Sequence, residues 1–174
     1  MITAIAGRSC TGKTSIGMKL AENMGCPFFS AGNYFREFLA PITSDYKVID
    51  SLIDDQTSSL IRNLNSIVLE GRTTGIILSS LMESEEDIDG FSVLLEASYE
   101  SQIERLLKRD VSLNKQAAAQ LLKEKDDFDR ERLYKIYGTD IFDRNHYDLY
   151  IDTTFKTMEN VLSEIECYGG KKHE

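Results

Sequence analysis

Gly7-Arg-Ser-Cys-Thr-Gly-Lys-Thr14 sets two glycines, a lysine and a hydroxyl at the spacing G-x-x-x-x-G-K-[ST]. Glycines let the chain turn so that consecutive N–H groups point at phosphate oxygens, and a following helix adds favourable dipole charge. In that geometry Lys13 reaches the β- and γ-phosphates and the Thr14 hydroxyl ligates Mg²⁺. The octet follows a strand-like run, Ile2–Ala6, and opens a stretch with Ile16, Leu20 and Met24 at helical spacing. Gly7, Arg8, Ser9, Cys10, Thr11, Gly12, Lys13 and Thr14 are therefore expected to cradle the phosphates of ATP.

Three arginines suggest what receives the phosphoryl group. Arg36 and Arg72 come just after strand-like runs, and Arg132 lies in a charge-dense segment. Ligands of open α/β sheets bind beyond the carboxyl ends of the strands, so Arg36 and Arg72 are expected to converge there. An acceptor phosphate is already an oxyanion near pH 7 and needs cations, preferably bidentate arginine, rather than a general base. A hydroxyl acceptor needs a carboxylate base, and Asn33 stands where one would serve. A kinase acting on an alcohol would instead depend on an aspartate such as Asp50 or Asp45. A nucleotide-binding regulator without transferase activity is the third reading.

These residues must be positioned by an alternating framework. Ile2–Ala6, Pro27–Phe29, Ile67–Leu69, Phe91–Leu95 and Leu149–Ile151 read as buried strands. Helical periodicity covers Lys13–Met24, Ala31–Leu39, Tyr46–Asn63, Tyr99–Arg109, Lys115–Tyr137 and Thr157–Cys167, and the tail from Gly169 is expected to fray. Such alternation implies an α/β domain with a five-stranded parallel sheet flanked by helices.

The 174 residues suit one domain, and 20 Lys+Arg against 29 Asp+Glu give a net charge of −9. An acidic chain is a poor binder of nucleic acid polymers or anionic membranes. No apolar run approaches the roughly 20 residues of a membrane span, and the N-terminus lacks the features of a signal peptide. Cys10, Cys26 and Cys167 lie far apart with no C-x-x-C, as expected of free thiols in a reducing cytoplasm. His146 and His173 have no partner motif. The missing acid in Asn114-Lys115-Gln116-Ala117 argues against a GTPase of the switch class.

Taken in order, Gly7–Thr14, Ser30–Glu37, Glu70–Arg72, Ala97–Arg109, Lys125–Asp140 and Tyr147–Thr153 resemble the motifs of the cytidylate kinases, especially the short archaeal type. The resemblance spans nearly the whole chain. It implies a P-loop NTPase fold with an acceptor-binding insertion at about 31–65 and a lid at about 111–143. It also implies transfer of the γ-phosphoryl group of Mg-ATP to a nucleoside monophosphate, most simply CMP or dCMP, in a cytoplasmic monomer or weak homodimer. Arg36, Arg72 and Arg132 then look like the acceptor-phosphate ligands, Asp129 the ribose-hydroxyl acceptor, and Ser30 and Asn33 further acceptor contacts. Lys13, Arg109 and Arg130 would meet the developing charge, and Glu70 would orient Mg²⁺-bound water beside Thr14. Lys125, Asp129 and Arg132 fall on one helical stripe, which a closing lid would present together. Asn33, Gln102, Lys125 and Leu133 depart from the family pattern, which has Asp, Arg, Arg and Tyr there. Thr73 brings no acid to read an exocyclic amine.

Overall fold

The strand β1 (Ile2–Gly7) is buried along its whole length between two parallel neighbours, β3 (Ile67–Glu70) and β4 (Gly90–Glu96). The outer strands are β2 (Phe28–Ser30) and β5 (Leu149–Asp152), giving the order β2-β3-β1-β4-β5 with every pair parallel. The register aligns Ile5 and Ser30 with Glu70, so the ends of β1, β2 and β3 meet at one edge. The chain is seen in a computed structural model that describes residues 1–172, so His173 lies outside the described residues.

Parallel strands must be joined by crossovers, and helices supply them. In chain order they are α1 (Lys13–Met24), the short α2 (Ala31–Tyr34), α3 (Tyr46–Asn63), α4 (Thr74–Ser84), α5 (Tyr99–Arg109), α6 (Lys115–Tyr137) and α7 (Met158–Lys171). Ile16 and Leu20 of α1 and Val161, Leu162 and Ile165 of α7 pack against Ile5, Val68, Val93 and Ile151 on one face of the sheet. Ile61 of α3 with Ile77, Leu78 and Leu81 of α4 cover Ile2, Ala4, Ile67 and Leu69 on the other.

Helix α4 is absent from the periodicity-based reading. Gly75, Ile77, Leu78 and Leu81 are buried in it, and the run is apolar on most sides, so it shows no amphipathic stripe. The C-terminus also differs from expectation. Gly169 does not fray but lies inside α7, where a Cβ would come within 3.1 Å of Met1 and 3.2 Å of Phe91. Burial there overrides the low helix propensity of the Gly-Gly pair.

The charge-dense α6 has apolar anchors. Ala118 and Leu122 pack on Ile103 and Leu106 of α5, and Leu133 joins Ala6, Leu94, Ile141 and Phe142. Its charged middle is thereby laid across the strand ends. No helix among the described residues is long and apolar enough to cross a membrane, and the three cysteines are free.

Candidate active site

The phosphate loop runs from the end of β1 into α1. Gly7 has φ +149°, and a Cβ there would lie 2.3 Å from the Leu95 carbonyl oxygen, so only glycine fits beside β4. Gly12 has φ +99° and carries no side-chain cap, so the first N–H groups of α1 keep their capacity for a ligand. Asn114, Ser98 and Thr157 cap α6, α5 and α7 through their side chains. Cys10, at φ +59°, completes the turn.

Lys13 donates to the carbonyl of Arg8 in its own loop at 2.6 Å. Burial pushes its ammonium down from 10.5 to about 8; Glu70 works against the shift, whereas Arg72 and Lys125 add to it. The Thr14 hydroxyl donates to Glu70 Oε1 at 3.0 Å, and the Ser30 hydroxyl donates to the same oxygen. Ser30 also accepts from the Asn33 N–H at 3.1 Å, capping α2. Glu70 is buried, and with Thr14 it offers hard oxygen donors of the kind Mg²⁺ takes alongside phosphate oxygens and water.

The arginines do converge, though unequally. Arg72 Nη2 donates to Ser9 Oγ at 3.3 Å and lies 2.7 Å from Asp129 Oδ2, an ion pair without hydrogen-bond alignment. Arg132 Nη2 donates to Asp129 Oδ1 at 2.8 Å, and its Nη1 donates to Asp50 of α3. The Arg132 guanidinium also lies over the rings of Tyr46 and Phe128, at 5.1 and 5.4 Å. Its Nε–H is buried without a partner among the described residues. Asp129 is only 4% exposed, so the two guanidinia hold an anion that water does not reach. Asp129, expected to accept from a ribose hydroxyl, is held here between the two arginines.

Arg36 stands apart. It follows α2 in a one-turn π-helix, Phe35–Leu39, is exposed, and donates to Asn33 Oδ1. Lys125, exposed on α6, feels the cluster's field: partial desolvation and the Arg72 guanidinium depress its ammonium, Asp129 opposes them, and Arg109 adds to the depression. Arg109, at the exposed end of α5, is therefore within electrostatic reach of the cluster.

Arg130 is not brought to the loop. It donates to Asp140 at 2.8 Å with a side chain 60% exposed. One residue on from buried Asp129, it is turned about 100° around the helix and faces outward. Arg8 instead carries the loop's contact with α6, standing 3.6 Å from Asp126 with its guanidinium 4.8 Å from the Phe142 ring centre.

Arg105 was not singled out from the sequence. Its Nη1 donates to the Cys10 carbonyl at 3.1 Å and to Thr153 Oγ1 at 2.9 Å, and its Nη2 donates to the Thr153 carbonyl at 2.6 Å. Thr153 Oγ1 also lies 3.1 Å from the Thr11 carbonyl. These bonds hold two loop carbonyls outward, toward β5. The signal available was its place in the motif stretch Ala97–Arg109.

Residues 2–155 match the Cytidylate kinase-like family. A cytidylate kinase of Pyrobaculum aerophilum is 29% identical over 171 residues, covering 93% of this chain and 89% of the relative. Among solved structures, a protein of uncharacterized function from Eubacterium ventriosum superposes with a TM-score of 0.73 at 20% identity, covering 97% of each chain. Shikimate kinase from Aquifex aeolicus superposes with a TM-score of 0.64 at 20% identity, covering 99% of this chain and 98% of that one. At such identities the structural likenesses speak to the kinase fold alone. The family match covers most of the chain, and the chain belongs to the cytidylate kinase-like family.

Proposed function

We infer that this enzyme transfers the γ-phosphoryl group of Mg-ATP to the phosphate of a nucleoside monophosphate, with CMP or dCMP as acceptor. The observation that carries the reading is the pair Arg72 and Arg132 closed on one buried carboxylate within reach of the phosphate loop. A site that holds a carboxylate between two guanidinia in a dry setting suits an anionic phosphate oxygen in the same place. The relative from Pyrobaculum aerophilum, a cytidylate kinase, supports the choice of nucleotide.

An alcohol acceptor is less well served. Asp50 accepts from Arg132, and Asp45 caps α3 by accepting from the Lys47 N–H at 2.9 Å, so neither stands ready as a base.

In this reading the loop N–H groups and Lys13 bind the ATP phosphates, while Arg72, Arg132 and Arg36 align the acceptor. Thr14 and Glu70 would hold Mg²⁺, which would supply Lewis-acid charge to the ATP phosphates. Lys13, with Lys125 and Arg109 nearby, offsets charge as the phosphoryl group moves in line between oxygens. The 31–65 stretch forms the acceptor wall and 111–143 the lid. Closure of the lid excludes water and so suppresses ATP hydrolysis.

ADP release measured across CMP, dCMP, UMP, AMP and hydroxyl acceptors tests the assignment. CMP or dCMP should give acceptor-dependent ADP, and release only with a hydroxyl acceptor would overturn it. Arg105 should act as a positioning residue. Arg105→Met is expected to lose about 1.5–3 kcal/mol of stability, the worth of hydrogen bonds to a charged group. It should also raise KM for ATP several-fold while leaving KM for the acceptor unchanged. An unchanged KM for ATP would reduce Arg105 to a structural brace.

A further inference from the structure

Helix α3 reaches α6 through Tyr46, Asp50 and Asp54, four residues apart and so on one stripe of the helix. Tyr46 packs edge-on against Phe128 at 4.9 Å, Asp50 accepts from Arg132 Nη1, and Asp54 accepts from the Tyr137 hydroxyl. The middle contact is the one that occupies a guanidinium of the site. Asp50 and Asp129 between them take both terminal nitrogens of Arg132, and Asp129 is also paired with Arg72 at 2.7 Å. The two carboxylates differ in origin. Asp129 lies three residues before Arg132 on α6 and moves with it, whereas Asp50 belongs to the opposite wall. Of the two, only the Asp50 contact has to break when α6 lifts from α3.

Charge decides what that contact means for an incoming phosphate. The positive charges of Arg72 and Arg132 are cancelled by Asp50 and Asp129, so a phosphate meets a cluster with no net attraction. Water screens the Asp50 pair little, since the two side chains are 17% and 12% exposed. Release of Asp50 restores one positive charge and frees Nη1 for a phosphate oxygen. The phosphate has the advantage in that exchange, bringing about −1.5 to −2 charge and three oxygens against a single carboxylate charge. We propose that Asp50 is an autoinhibitory latch: its carboxylate holds Arg132 as an acceptor phosphate oxygen would, pins α6 to α3, and gives way when the acceptor binds. The proposal rests on the reading of Arg132 as a ligand of the acceptor phosphate.

The test is titration of CMP into wild type, Asp50→Asn and Asp50→Ala, each below its melting temperature. Asp50→Asn keeps an oxygen for Arg132 but removes the charge, so the latch weakens without a change of shape. CMP affinity should rise about 5- to 10-fold in Asp50→Asn, the difference between a charged and a neutral hydrogen-bond partner. It should rise at least as much in Asp50→Ala, which suits a helix interior and removes the carboxyl altogether. ATP affinity should stay the same in both. Amide exchange without substrates is the second readout, and residues 126–137 should exchange several-fold faster in Asp50→Asn than in wild type. Unchanged or weaker CMP binding in the variants, or unchanged exchange, would overturn the latch and leave the kinase reading intact. ADP release with a hydroxyl acceptor and with no nucleoside monophosphate, abolished in Asp50→Asn, would instead make Asp50 a general base and overturn the acceptor reading itself.

Discussion

Lys13→Met should lower kcat about 10²- to 10³-fold, the cost of removing one preorganised partner of transition-state charge. The fold should survive, because methionine retains most of the apolar stem and removes a cation that burial disfavours. Near-normal turnover with unchanged melting would refute the role of the loop lysine. The depressed pKa adds a second, independent reading. The free enzyme loses the Lys13 proton above about pH 8, so kcat/KM for ATP should fall about tenfold per pH unit beyond it. Bound phosphates draw the pKa back up, so kcat at saturating ATP should hold to higher pH. Stability of the ligand-free protein should move oppositely. Between about pH 8 and 10.5 the unfolded chain retains a proton that the folded one releases, and folding therefore gains from rising pH. A kcat/KM profile flat to pH 10 would show that Lys13 is not the titrating group.

What was legible in the sequence follows from how local each signal is. The phosphate loop occupies eight consecutive residues, and its chemistry depends on backbone turns that glycine spacing announces. The five strands and the amphipathic helices follow from hydrophobic period, whereas α4, apolar on most sides, carries no period to read. The sequence reads Arg36 and Arg72 as the pair at the strand ends and adds Arg132 through motif order, whereas the structure closes Arg72 and Arg132 on Asp129 and leaves Arg36 exposed. The carboxylates that meet α6 were not legible. Asp50 meets Arg132 across 82 positions of sequence, and Asp54 meets Tyr137 across 83. Those contacts depend on how α6 docks against α3, a packing angle that no local pattern encodes. Arg130 shows the same limit at shorter range. A sequence places it next to Asp129, yet helix geometry turns the two in different directions, one buried and one toward Asp140.

The arginine variants separate the two substrates, and the structure makes their effects unequal. Arg132→Met removes a guanidinium whose ion pairs go to Asp50 and Asp129 rather than to the phosphate loop. Loss of hydrogen bonds to a charged group is worth about 1.5–3 kcal/mol, so acceptor affinity should fall roughly 10- to 150-fold. ATP affinity should be nearly unchanged. Arg72→Met should weaken both, because Arg72 also donates to Ser9 of the loop and contributes to the field at Lys13. Arg36→Met should cost least, since Arg36 is exposed and, among the described residues, bonded only to Asn33. Two carboxylates lose a partner in Arg132→Met, so the variant should also melt earlier. Arg132→Lys guards against that complication by keeping the charge while losing the planar fork, and it should show a smaller loss of the same kind. Titrations of ATP and of CMP into each variant, run well below its melting temperature, decide the matter. If Arg132→Met and Arg132→Lys weaken ATP as much as CMP, α6 contributes to the donor site and the division between two sites is wrong.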